Sequence, residues 1–134
     1  MAEGLLRKMA LDQQLPVEVQ SAGLAAFAGV PPAPEAVEAC LEKGVYISFH
    51  QTQPLSKALV MESDLILTMT GKHKEMILKK MPALQDKVSL FSEFAGVGAE
   101  DIDDPVNQSV DVYRKVLSQM EGYLQKATGK LRAG

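Results

Sequence analysis

With 134 residues, 46% of them hydrophobic and 23% charged, the chain has the size and composition of one soluble globular domain that can bury a core. A net charge of −3, with Lys and Arg scattered along the chain, argues against the basic stripe of a nucleic-acid-binding surface. No apolar run approaches a membrane span, Glu3, Arg7 and Lys8 replace any signal-peptide apolar region, and a single cysteine builds no disulfide framework; the expected protein is cytoplasmic, with no membrane partner.

Residues 1–13 place Ala2, Leu5, Leu6, Met9 and Ala10 on one helical face. In 15–23, LPVEVQSAG, Val17 and Val19 alternate with polar residues, which predicts a strand ending at Gly23. A loop follows, punctuated by Gly29, Pro31, Pro32 and Pro34. The stretch 34–44, PEAVEACLEKG, opens with Pro and Glu, carries Lys43 near its end and stops at Gly44, the pattern of a short helix. After the link VYISFHQTQPL, SKALVMES (56–63) predicts another helix, and DLILTMT (64–70) is a nearly continuous apolar run, as in a strand buried on both faces. GKHKEMILKKM (71–81) is a helix stopped by Pro82, KVSLFSEF (87–94) a strand, and AGVGAEDIDDPVNQ an acidic loop. From Ser109 a long helix runs with Val112, Val116, Met120 and Tyr123 in period and is expected to fray at Gly129. Strands alternating with helices call for an α/β, three-layer fold: one domain over 1–134 with a parallel sheet flanked by helices. Such sheets bind ligands at the carboxyl ends of strands, beside helix N-termini. They also begin with a strand, and no strand feeds the first helix here.

The segments MAEGLLRKMA, VEVQSAG, PPAPEAVEACLEKGVYISFH, DLILTMTGKHKEMI, KVSLFSEFAG and DDPVNQSVDVYRKVL occur in this order over nearly the whole chain. Together they make the chain resemble the low-molecular-weight protein tyrosine phosphatase family, including its bacterial protein-arginine phosphatase and arsenate-reductase-like relatives. In that family a strand and a phosphate loop precede the first helix: Cys, five residues, Arg, then Ser or Thr and Pro. Met1 stands where that loop ends. The resemblance implies a hydrolase that attacks a phosphorylated protein with a cysteine thiolate and uses no metal or organic cofactor. The loop amides and its Arg would hold the phosphoryl oxygens, and an Asp would protonate the leaving oxygen. Asp104, before Pro105, matches that general acid, with Asp103 as the weaker alternative. Phe27 matches an aromatic residue at the mouth of the site. The family's aromatics after Asp-Pro are replaced by Val106 and Asn107, which tilts the substrate toward phosphoarginine.

The nucleophile and its Arg are missing from these residues. Cys40 is the one thiol, and Tyr46 stands six positions on, so Cys40 is expected to be a packing residue. The run Asp101, Asp103 and Asp104 reads by spacing as a solvated loop rather than a metal site. His50 and His73 lack metal-ligand spacing; His50 is expected to make a structural hydrogen bond and His73 to be exposed. The Met residues read as core filler, and Tyr113 and Tyr123 as anchors of the last helix to the sheet. A missing inner strand would remove roughly 6–15 kcal/mol of apolar burial at ~1.5–3 kcal/mol per side chain, as much as a domain's whole stability. The sheet is therefore expected to be rearranged, with 17–22 closing against 65–69, or to be completed by a homodimer. Three functional expectations follow: a phosphatase scaffold inactive as it stands, a non-catalytic binding or regulatory protein on the same scaffold, or a chain begun at an internal Met of an ordinary phosphatase.

Overall fold

The computed structural model describes residues 1–24 and 29–133. Among them are α1 (Ala2–Asp12), α2 (Pro34–Glu42), α3 (Lys57–Glu62), β1 (Ile66–Thr68), α4 (Gly71–Lys80), β2 (Val88–Leu90), α5 (Phe91–Ala95) and α6 (Val110–Ala133). The α/β class stands. β1 and β2 pair in parallel, Ile66 with Val88 and Thr68 with Leu90, and α4 is the crossover between them. One face of the pair lies over a core built from α1, α2, α5 and α6, where Leu5, Cys40, Ile102, Leu117 and Leu124 are buried. The other face lies over a smaller core of Val60, Ile77, Leu84 and Val88, under α3 and α4. Side-chain alternation divides β1 between them: Ile66 packs on the smaller core and Leu67 on the larger.

Helix ends follow local chemistry. At the end of α1, Leu15 N donates to Ala10 O and Gln14 N to Leu11 O, a Schellman closure that puts Gln14 at φ 56. α2 closes the same way on Gly44. Ser56 and Thr70 accept from the amides of Leu59 and His73 and cap α3 and α4. Gly4 lets α1 approach the chain after α2: a Cβ there would come within 2.7 Å of the Ile47 side chain.

Several expectations are corrected. No strand forms over 15–22; Gly23 alone makes a parallel bridge, to Pro54. The in-chain rearrangement does not occur either, since the sheet contains only β1 and β2 among the described residues. A strand requires a neighbouring ladder, and among the described residues 17–22 pairs with none. For the same reason Ile66 and Leu67 are half-buried rather than buried on both faces. The strand expected over 87–94 stops at Leu90, because Glu93 Oε1 accepts from Leu90 N at 2.9 Å and starts a helical turn. That turn closes on Gly96 at φ 79, with Val97 N donating to Ser92 O. α6 does not fray at Gly129: Ala127 and Thr128 are buried in the preceding turn, and Gly129 lies on the exposed face. Of the methionines read as core filler, Met120 is buried, while Met61 and Met76 are exposed.

Candidate functional site

In the acidic loop between α5 and α6, Glu100, Asp101 and Ile102 are fastened to neighbouring elements, and Asp103 and Asp104 are exposed beyond them. Ser92 Oγ accepts from Glu100 N (2.7 Å) and donates to Glu100 O (2.8 Å). Tyr123 donates its hydroxyl to Glu100 Oε2 at 2.7 Å, and Gln119 Nε2 donates to Asp101 O at 3.3 Å. Gly71 N, the first amide of α4, donates to Asp101 Oδ1 at 2.8 Å, which satisfies one of the helix's unpaired amides and sets a negative charge at its positive end. Ile102 N donates to Met69 O at 2.8 Å, just beyond the carboxyl end of β1, and its side chain is 1% exposed in the larger core.

Asp103 and Asp104 follow directly, both exposed. Asp104 Oδ1 accepts from Val106 N at 3.1 Å, an Asx-type closure over the buried Pro105. Gln108 N then donates to Pro105 O, and Asn107 takes φ 63 before α6 begins. The result is an exposed carboxylate held on a fixed loop at the carboxyl end of a parallel strand, where α/β sheets bind ligands. Such a group can pass a proton to and from a bound molecule. Tyr113, buried in the first turns of α6, has its phenol pushed up by burial and by the nearby carboxylates of Glu35 and Asp104. The hydroxyl of Tyr123 is pulled down by Gln119, but Glu100 and burial outweigh this and push it up. Tyr123 thus ties α6 to the acidic loop rather than to the sheet.

A second polar cluster holds the turn after 17–20. Glu3 Oε1 accepts from Ser21 N (2.8 Å) and Ser21 Oγ (3.2 Å). His50 Nδ1 lies 3.1 Å from Glu3 Oε2, and Arg7 Nη1 3.5 Å from it. Arg7 Nη2 donates to Val19 O, and Gln53 Nε2 donates to Ser21 O. The His50 ring thus stands against the Glu3 carboxylate; His73 is exposed.

The other expected residues are not brought to the acidic loop. Cys40 is 0% exposed within α2, and burial pushes its thiol up, away from the thiolate form that attacks phosphorus. Phe27 lies outside the described residues. Glu3 is a site-building residue that the sequence did not single out, and Asp101, read there as part of a solvated acidic run, is bound to the first amide of α4. The available signals were an acid directly before a buried Ile and an acid in the first turn of a helix. No group of three His, Cys, Asp or Glu converges on a metal position among the described residues, and no helix among them is long and apolar enough to cross a membrane.

A family model for low molecular weight phosphotyrosine protein phosphatase matches residues 1–133. The chain is 33% identical over 132 residues to a protein-arginine-phosphatase of Bacillus subtilis (strain 168), covering 98% of this chain and 87% of that one. It is 35% identical over 134 residues to a probable low molecular weight protein-tyrosine-phosphatase, EpsP, of Ralstonia nicotianae, covering 99% and 87%. The crystal structure of a YwlE mutant from Bacillus subtilis superposes with a TM-score of 0.93 at 33% identity, covering 98% of this chain and 88% of that one.

Proposed function

Because the chain belongs to the low molecular weight phosphotyrosine protein phosphatase family, we propose that its 134 residues supply the scaffold and the general-acid arm of a phosphoprotein phosphatase site. The observation that carries this reading is the fastening of Glu100, Asp101 and Ile102 to α5, α4 and the end of β1, which leaves Asp104 exposed beyond them. In that role Asp104 gives its proton to the oxygen or nitrogen leaving phosphorus. It then takes a proton from the water that hydrolyses the phosphoenzyme. Asp103 is the alternative acid. The nucleophile belongs to a Cys-x5-Arg loop, and these residues do not contain one: Cys40 is their single cysteine, and it is buried in the core.

The substrate is a phosphorylated protein, with phosphotyrosine as the family's target. A second reading, phosphoarginine, is favoured by the residues after Pro105. Val106 is 56% exposed and Asn107 stands beside it, so neither provides an aromatic wall for a phenyl ring. The resemblance to a protein-arginine-phosphatase points the same way.

The 134-residue chain is expected to release no nitrophenol from p-nitrophenyl phosphate; turnover that disappears in Asp104→Asn would overturn this. The role of Asp104 is read in a fusion in which the strand and Cys-x5-Arg loop of the Bacillus subtilis relative precede Met1. There, Asp104→Asn should lower kcat by ~10²–10⁴-fold and Asp103→Asn should not. The reverse result would move the acid to Asp103.

A further inference from the structure

Among the described residues six lysines of this acidic protein have no partner; Lys115 and Lys126 stand on α6, and the other four gather on α3 and α4. Lys8 pairs with Asp12, Lys43 with Glu121 and Lys74 with Glu93, while Lys87 donates to the carbonyls of Val60 and Ser63. Lys57, Lys72, Lys79 and Lys80 are exposed and make no hydrogen bond or ion pair among the described residues. Three of them lie on α4, where Lys72, Met76 and Lys79 or Lys80 follow each other at helical spacing along one face. Met76 is 46% exposed in the middle of that face. Like charges at this spacing repel, and among the described residues no carboxylate pairs with them. Between residues 57 and 87 there are six lysines against four carboxylates, Glu62, Asp64, Glu75 and Asp86, in a chain whose net charge is −3.

The stripe borders a small groove lined by both apolar and polar side chains. Leu55, Ile77 and Met81 form its floor, Met76 lies at its rim, and Lys57 and Lys80 flank it, enclosing about 110 Å³. An apolar cavity of ~150 Å³ takes a benzene ring, so this groove has room for one aliphatic side chain and not for a larger ligand. Lysine stems cover apolar surface while keeping their charge in water, so the two flanking residues suit a partner that is apolar at one point and anionic around it.

We propose that the groove between α3 and α4 is a docking site for an acidic segment of a partner protein, which inserts one aliphatic side chain against Ile77 and sets carboxylates on Lys57 and Lys80. Nucleic acid would meet the charge but has no aliphatic side chain for the floor. The proposal is independent of the phosphatase reading: the groove shares no residue with the acidic loop, and its test needs no turnover.

The probe is a fluorescein-labelled nonapeptide with one central leucine and four glutamates on each side, titrated with the 134-residue chain and read by anisotropy. Binding is expected, weakening as salt is raised. Lys57→Glu with Lys80→Glu should weaken it at least tenfold, whereas Lys126→Glu, an exposed lysine of α6, should change it less than twofold. Replacing the peptide's leucine by serine should also cost at least fivefold. Thermal melts of both variants, expected to match the parent chain, show that lost binding is not lost folding. No binding, equal weakening by Lys126→Glu, or equal affinity for the serine peptide would overturn the site. Displacement by a single-stranded oligonucleotide at matched charge would overturn the assignment to a protein partner.

Discussion

Two stretches of similar sequence character have opposite fates. LPVEVQSAG and DLILTMT both read as strands. The second becomes β1, because β2 lies beside it and exchanges backbone hydrogen bonds in register. The first forms no ladder, and its carbonyls and amides are taken instead by the side chains of Glu3, Arg7 and Gln53. β1, α4, β2 and the acidic loop thus form a block joined by backbone bonds and a buried Ile102, whereas 17–22 is tied to α1 by exposed or half-buried polar groups. Alternation reports a preference for a pleated, half-buried surface; whether a strand forms depends on the neighbour.

The sharpest way to break the contrast is inside the block. Ile102→Ala removes a side chain that is 1% exposed and should cost ~2–5 kcal/mol in urea unfolding, loosening Asp103 and Asp104 with it. A loss below ~1 kcal/mol, the size expected where a site collapses or the backbone alone holds it, would mean that the bonds of Asp101 and Ile102 to α4 and β1 fix the loop without the core. Glu3→Ala is the matching cut in the other region. It leaves Ser21 N without its acceptor, at a cost of ~1–3 kcal/mol. Hydrogen exchange should speed up at Val19 to Gly23 and stay unchanged at Ile66 and Ile102. Equal acceleration at all of these amides would show that the two regions open as one unit.

Much of this is legible in the sequence. The bounds of α2, α3 and α4 follow from Pro34, Gly44, Ser56, Thr70 and Pro82, each of which starts or stops a helix for a local steric or hydrogen-bonding reason. Asp104 was legible only through the family pattern around Asp-Pro; by spacing alone it is one more acid in a solvated loop. Two kinds of feature were not legible. The change from strand to helix at Phe91 depends on one bond from Leu90 N to Glu93, hidden in a segment whose apolar residues suit either state. The role of Asp101 depends on Gly71, thirty positions away in sequence, and no local pattern announces a contact made by topology.

The smallest effect comes from the Glu93 bond, and its sign is set by charge. Hydrogen bonding from Lys74, then from Leu90 N, holds the Glu93 carboxyl below the ordinary carboxylate range. A group whose native pKa is depressed adds stability above its unfolded pKa, ~4.3 for Glu, and loses that contribution as pH falls through the lowered native value. The side chain is about a third exposed, so water and salt screen the pair and the gain is modest. Glu93→Gln keeps an oxygen to accept from Leu90 N but gives up the charge. The wild-type chain should therefore have a higher urea midpoint than Glu93→Gln at pH 7, a difference that narrows as pH falls below ~4.3 and closes once pH has passed the lowered native value. A gap that persists unchanged in acid would mean that shape and the neutral hydrogen bond start α5, and that the ionised carboxylate is not what turns the strand into a helix.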